Sequence, residues 1–324
     1  MKLILSHSSA LDFIRASRWR RDELPPASIR VLSDCASSLK EVESILIPAF
    51  DQSETRLEVL VGKAADAMKS QQHVCRVLKF PPISGMFCKI AKNAYVASPE
   101  MMFVQMATRL SFLELIQLGM ELCGTYAPCP YSDRFDERPP VTSKKRLENF
   151  CERARGMRGA ATAHKALRWI VDGSNSPAET SLVLFLCLPV RLGGYGFRFP
   201  DMNPMTPLGK RASKMAEYPT MRCDLHWVEE HVVVEYDSDQ EHLSSQSAAN
   251  DARRRNVLGY KDITVITVRK PMLFTPRSFD DVVRQLAKAL GRRLRPRDLE
   301  FTTARSELRF KLFPWLAVGT AYLQ

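Results

Sequence analysis

The stretch CDLHWVEEHVVVEYDSDQEH, residues 223–242, sets Asp224, Glu235 and Asp237 in or beside a Val-rich run that otherwise has the composition of a buried strand. Charged side chains are rarely buried unless they are paired or bound to a metal. A turn centred on Glu229 and Glu230 makes cross-strand partners of His226 and Val233, and of Asp224 and Glu235. Asp237 then shares their face about 7 Å further along the strand. Two carboxylates about 5 Å apart, at an effective dielectric of about 20, repel by roughly 3 kcal/mol, a cost that a divalent cation removes. Donors that are all hard oxygens suit Mg²⁺ or Mn²⁺ rather than zinc.

The expected metal ligands are therefore Asp224, Asp237 and Glu235, and the chemistry of such a site is phosphodiester hydrolysis. His242, in the loop beyond Asp237, is the candidate general acid or base. Purely structural roles stand beside these. Glu235 can pair with Arg222 at a strand end, and Asp237 with Asp239 can shape a turn in DSDQ. Glu179 is equally double-sided. In SPAE, Ser176 is the N-cap, Pro177 the first helical residue and Glu179 the acid of a capping box, yet an acid in a first turn can also lean toward a metal.

The elements around these residues follow from periodicity and turn chemistry. In the second half, GSNSPAETSLVLFLCL starts a helix and GGYGFRFP predicts a strand. Residues 221–228 and 231–237 predict two more strands, 248–258 a helix, DITVITV a buried strand and SFDDVVRQLAKALGRRL an amphipathic helix. In the first half, SHSSALDFIRAS predicts a helix, RLEVLVGK and HVCRVLKF strands, and FCKIAKNAYVASPE a strand running into a helix capped by Ser98 and Pro99. That helix continues through MMFVQMATRLSFLELIQLGMEL. The segment 124–140, with four prolines, predicts a loop or linker.

A chain of 324 residues is long enough for two cores. The fold class expected is α/β (α+β): an N-terminal α+β domain at 1–130, a linker and basic helix at 131–173, a C-terminal mixed sheet flanked by helices at 174–298, and a tail at 299–324. The net charge of +11 makes a polyanion a natural partner. Between 144 and 168, eight Lys and Arg face two Glu, so Lys144, Lys145, Arg146, Arg155 and Arg158 are candidate phosphate contacts, joined by Arg253, Arg255 and the Arg292–Arg297 cluster. A solvated helix face explains the same charge run. Eight cysteines without a C-x-x-C pair give no support to a zinc ribbon. The opening MKLIL is too short an apolar run for a signal peptide, and LVLFLCLPV at 182–190 is far short of a membrane span, so a cytoplasmic protein without a membrane partner is expected.

At these residues the segment 174–290 resembles the PD-(D/E)xK nuclease superfamily, within it the domain related to very-short-patch-repair endonucleases. SPAE, RCDLHW, VVVEYDSDQEH and NDARRRNVLGY carry the resemblance, and DITVITV looks like its final strand. It implies a Mg²⁺-dependent nuclease fold with Asp224 and Asp237 as ligands, Glu235 assisting, His242 in acid/base work, and Asp251 with Arg254 as supports. No Lys stands two residues after Glu235, and Ser238 replaces the usual Gly, which leaves the catalytic base unassigned. The first 130 residues are similar, through LSHSSALDF and YVASPEMMFVQMA, to AbiEi-type abortive-infection antitoxins. That implies a module binding nucleic acid or a toxin-like partner in defence. Two functions result: a metal-dependent endonuclease acting on DNA in defence or repair, or a catalytically inactive, antitoxin-like DNA-binding regulator that uses the nuclease fold as a platform.

Overall fold

The computed structural model describes residues 1–16, 25–36, 56–69, 71, 73–129, 134–237, 253–254, 256–273, 275–294 and 299–314. The chain divides into two compact units, Met1–Asp172 and Gly173–Gln324. It mixes helices with parallel and antiparallel strands, as the α/β class requires. The boundary places the basic segment 144–168 inside the first unit. Its helix buries Leu147, Phe150 and Cys151, which ties it to that unit's core.

The first unit is built on a six-stranded sheet. Its strands are β1 (Leu3–Leu5), β2 (Pro26–Ala27), β3 (Leu57–Val61), β4 (His73–Val77), β5 (Phe87–Ala91) and β6 (Ala94–Ala97). Their spatial order is β2-β5-β6-β1-β3-β4, with parallel β1/β6 and β3/β4 pairs. Ile4, Leu5, Val59, Leu60 and Val61 are buried, which fits a sheet covered on its faces. Helix α1 (His7–Ala16) packs on β3 and on α2 (Pro99–Met106). As expected, Ser98 caps α2 by accepting from the Met101 amide, and Pro99 opens it.

Three expectations in this unit are corrected. FCKIAKNAYVASPE is a hairpin rather than one strand, because Asn93 adopts φ 61 between β5 and β6, and asparagine tolerates that left-handed turn. The long helix after Pro99 breaks into α2 and α3 (Phe112–Cys123), because Ser111 and Glu114 form a capping box that starts a new helix. The Pro-rich loop contains an antiparallel pair, β7 (Tyr126–Pro128) with β8 (Phe135–Glu137), and the Arg138 side chain, almost wholly buried, donates to the Tyr126 carbonyl. The basic segment holds α4 (Lys144–Arg153) and α5 (Ala160–Ala166), separated by a turn with Gly156 and Gly159 at φ 90 and 94.

In the second unit α6 (Pro177–Cys187) is capped by Ser176 and is buried along most of its length. After it come β9 (Asp201–Met202), β10 (Met205–Pro207), α7 (Lys210–Ala216), β11 (Thr220–Arg222), β12 (Leu225–Trp227) and β13 (Val232–Asp237). Helical residues 256–260 lead to β14 (Thr264–Arg269), α8 (Pro276–Ala289) and α9 (Leu299–Leu312). The main sheet is ordered β14-β13-β12-β9; β12 is antiparallel to both neighbours, and β13 and β14 run parallel. A small antiparallel pair, β10 with β11, stands apart. Helix α8 packs on β14, and α9 on α6, where Ser181 Oγ donates to the Leu312 carbonyl at 2.8 Å. The tail is thus partly core: Phe313 stacks edge-on against Phe185, which in turn stacks on Phe279.

GGYGFRFP forms no strand. It folds back over the end of α6, and the amides of Tyr195, Gly196 and Phe197 donate to the carbonyls of Phe185, Leu188 and Leu186. These are acceptors that the last turn of a helix leaves open. A Cβ on Gly194 would stand 2.0 Å from the Leu188 carbonyl oxygen, so this close approach needs glycine.

Candidate active site

The hairpin has the register that the sequence dictates. Leu225 pairs with Val234, His226 with Val233 and Trp227 with Val232, and the turn runs through Glu229 and Glu230 with His231 at φ 56. The Arg198 guanidinium answers both turn glutamates. One step further along the same register Asp224 faces Glu235. The Asp224 Oδ2 accepts from the Tyr236 amide at 2.8 Å, and its own carbonyl accepts from the Asn203 amide at 2.9 Å. Burial first, then the charges of Glu235 and Glu179, push the Asp224 carboxyl up to about 7, while the Tyr236 amide and Arg254 pull the other way.

Glu179 comes to this carboxylate from the first turn of α6. Its Oε1 accepts from Ser176 Oγ at 3.0 Å and its Oε2 from the Asn175 amide at 3.1 Å and from Asn203 Nδ2. The return bond of the expected capping box therefore goes to the residue before the N-cap. Burial raises the Glu179 carboxyl, and these donors with Arg222 oppose that rise. Glu235 pairs with Arg254, Nη2 to Oε1 at 2.6 Å, and not with Arg222, whose guanidinium reaches Asn175. Arg254 also donates to the Arg222 carbonyl, which fixes it beside the hairpin. Burial and the neighbouring Glu235 push the Cys223 thiol up to about 12, so it stays protonated at neutral pH.

Asp237, two residues beyond Glu235 on β13, is opposite Arg269 in the parallel ladder, with Arg269 Nε 3.5 Å from Asp237 Oδ2, and the charges that raise Asp224 are those of Glu235 and Glu179. The structure therefore draws Glu179, Asp224 and Glu235 together, with Arg254 among them, where the sequence favoured Asp224, Glu235 and Asp237. His242, Asp251 and Arg255 lie outside the described residues. The residue the sequence reading passed over is Asn203. It is buried, adopts φ 48, and connects Glu179 through its side chain to Asp224 through its amide. An Asn before Pro204 signals a turn, but nothing in the sequence names its partners.

Among the candidate phosphate contacts, Arg146 is bound to Glu100 at 2.8 Å, Arg155 to Glu152, and Arg253 to Glu217 at 3.1 Å. Lys145, Arg155 and Arg158 are exposed and Lys144 is half-buried. Arg292 donates to the Gly196 carbonyl at 2.7 Å, so it supports the loop after α6, and residues 295–298 of its cluster lie outside the described part.

For a hard divalent cation the donors are of the right kind, three carboxylates without sulfur or imidazole. Among the described residues no group of three or more His, Cys, Asp or Glu side chains is arranged to hold a metal ion. Mg²⁺, however, is commonly bound by one or two carboxylates, with water and substrate oxygens for the rest. Asp224 and Glu235, cross-strand neighbours, meet that smaller requirement. No protein-family model, no curated relative and no solved structure matches this chain. Among the described residues no helix is long and apolar enough to cross a membrane.

Proposed function

We propose that the second unit is a Mg²⁺- or Mn²⁺-dependent endonuclease that hydrolyses phosphodiester bonds of DNA. The observation that carries the reading is the meeting of Glu179, Asp224 and Glu235 at the open end of the β12–β13 hairpin, with Arg254 paired to Glu235 and Arg222 acting on Glu179. The order of elements supports the resemblance to the PD-(D/E)xK nucleases: a helix opening with SPAE, an Asp before a hairpin, a strand carrying Glu235 and Asp237, then Gly259 and Tyr260 before a strand parallel to it. The net charge of +11 supports a polyanionic substrate.

Asp224 and Glu235 would hold the cation. When bound it polarises a phosphate, acidifies water and stabilises charge in the transition state. Tyr236 fixes one oxygen of Asp224 through its amide, and Asn203 keeps Glu179 turned toward the pair. Arg254 holds Glu235 by Oε1. The proton acceptor is His242 or a water, as the missing Lys requires. Nicking of supercoiled plasmid in Mg²⁺ or Mn²⁺, lost in Asp224→Asn, supports the reading; equal nicking by wild type and variant overturns it.

One observation favours a second reading. Glu235 and Asp237 are already neutralised by Arg254 and Arg269. A fold whose carboxylates are answered by arginines can serve as an inactive, antitoxin-like DNA-binding platform, with a toxin-like protein as partner. That reading predicts DNA binding that falls with salt and ignores Mg²⁺.

A further inference from the structure

The first unit has an open cavity of about 610 Å³ that plays no part in the proposed nuclease chemistry. Its size is within the roughly 300–1,000 Å³ of small-ligand sites. Four cations line it: Arg76, Lys79, Arg109 and Arg158. Behind them the Glu58 carboxylate is buried, accepting from Ser8 through its amide and hydroxyl and from the guanidinia of both Arg76 and Arg109. One carboxylate thus anchors two guanidinia and leaves them one charge in surplus. Among the described residues no carboxylate is paired with Lys79 or Arg158, so the wall carries three positive charges in excess. Cations gathered around a cleft repel one another and focus a positive field into it, which an anion relieves.

A second feature points to a ligand. Gln105 is almost wholly buried and lines the same cavity. Its Oε1 accepts from the His7 amide at 3.0 Å, which turns its Nε2 away, and among the described residues that amide group has no hydrogen-bond partner. A buried donor left unmade is costly, so an acceptor is expected opposite it. Phe80, Met101 and Met157 supply the apolar lining, with a ring and thioethers fitted to a flat partner.

We propose that this cavity binds a nucleoside phosphate. Its phosphate rests on Lys79 and Arg158 with the anchored Arg76 and Arg109, its ring lies against Phe80 and Met157, and a ring acceptor takes the free Gln105 amide. The test is calorimetry on the full chain with AMP, ATP, GTP and inorganic phosphate, on wild type and on Lys79→Ala/Arg158→Ala, whose exposed side chains can be removed without touching the core. The expected result is binding of at least one nucleotide, weaker by about tenfold or more in the double variant, and tighter than inorganic phosphate. Gln105→Met should weaken the nucleotide and leave inorganic phosphate unchanged. Tighter binding of a 5′-phosphorylated tetranucleotide would support the same chemistry with a strand end as its source. Failure of all these nucleotides to bind wild type, equal binding by the double variant, or inorganic phosphate binding as tightly as the nucleotide overturns the proposal.

Discussion

At the scale of single residues, Asp224 and Glu58 show two ways in which this chain holds a buried carboxylate. Asp224 has one backbone donor and two acidic neighbours. Replacing it with Asn removes a charge that its surroundings disfavour, so without metal the variant should melt no lower than wild type while losing cleavage; a large drop in melting temperature would mean that the carboxylate is a structural anchor. Arg254→Ala leaves Glu235 unanswered. Because the pair is partly exposed, the expected loss is about 1–3 kcal/mol in urea unfolding, less than a fully buried pair would cost. Glu58 is the opposite case. Burial would raise it, but the bonds from Arg109, Ser8 and Arg76 outweigh that and hold it at about 2. Burial, aided by Arg109, lowers His7 to about 4. Both groups take up protons more readily in the unfolded chain. The stability these two groups contribute is therefore full above the ordinary histidine value of 6.5 and is lost as pH falls, through His7 toward about 4 and through Glu58 between 4.5 and about 2, whereas Asp224, raised to about 7, works the other way as pH falls below that value. Thermal melts of Asp224→Asn, which lacks the opposing carboxyl, at about pH 7.5, 5 and 3 should show that decline, and a flat profile would contradict it.

At the scale of elements, the hairpin was legible because two glutamates, Glu229 and Glu230, separate two apolar runs, and a turn centred there pairs Leu225 with Val234 and Trp227 with Val232. That register also placed Asp224 opposite Glu235. What the sequence could not carry were contacts made by loops. The GGYGFRFP segment has the composition of a strand, but its amides serve the end of α6. Glu179 was readable as a cap, whereas its meeting with Asp224 depends on Asn203, a turn residue thirty positions from Gly173, to whose carbonyl it donates. Helix α9 was likewise opaque. Its Arg305 binds Asp280 of α8 at 2.9 Å, both side chains almost wholly buried, and donates to Tyr195. Removing it leaves Asp280 buried without this cation, the Tyr195 hydroxyl still donating to it, so Arg305→Ala should cost about 3–5 kcal/mol in urea unfolding, and a loss below about 1 kcal/mol would show that α9 is not part of this unit's core.

At the scale of the whole molecule, two compact units carry different chemistry: carboxylates on a mixed sheet in Gly173–Gln324, and a cationic cavity beside the sheet in Met1–Asp172. The +11 charge is shared along the chain, and several of its arginines are spent on glutamates within their own unit. Binding to a DNA duplex should therefore weaken steeply with salt, with a slope set by the free cations rather than by all of them. The central claim concerns the cross-strand pair, Asp224 and Glu235. Its most direct test is calorimetric titration of Mg²⁺ and Mn²⁺ into wild type and Asp224→Asn, with plasmid nicking followed in the same samples. The account predicts metal binding and nicking in the wild type and loss of both in the variant. Wild-type protein that binds neither cation would contradict it, and would mean that Arg254 and its neighbours already supply all the charge those carboxylates require.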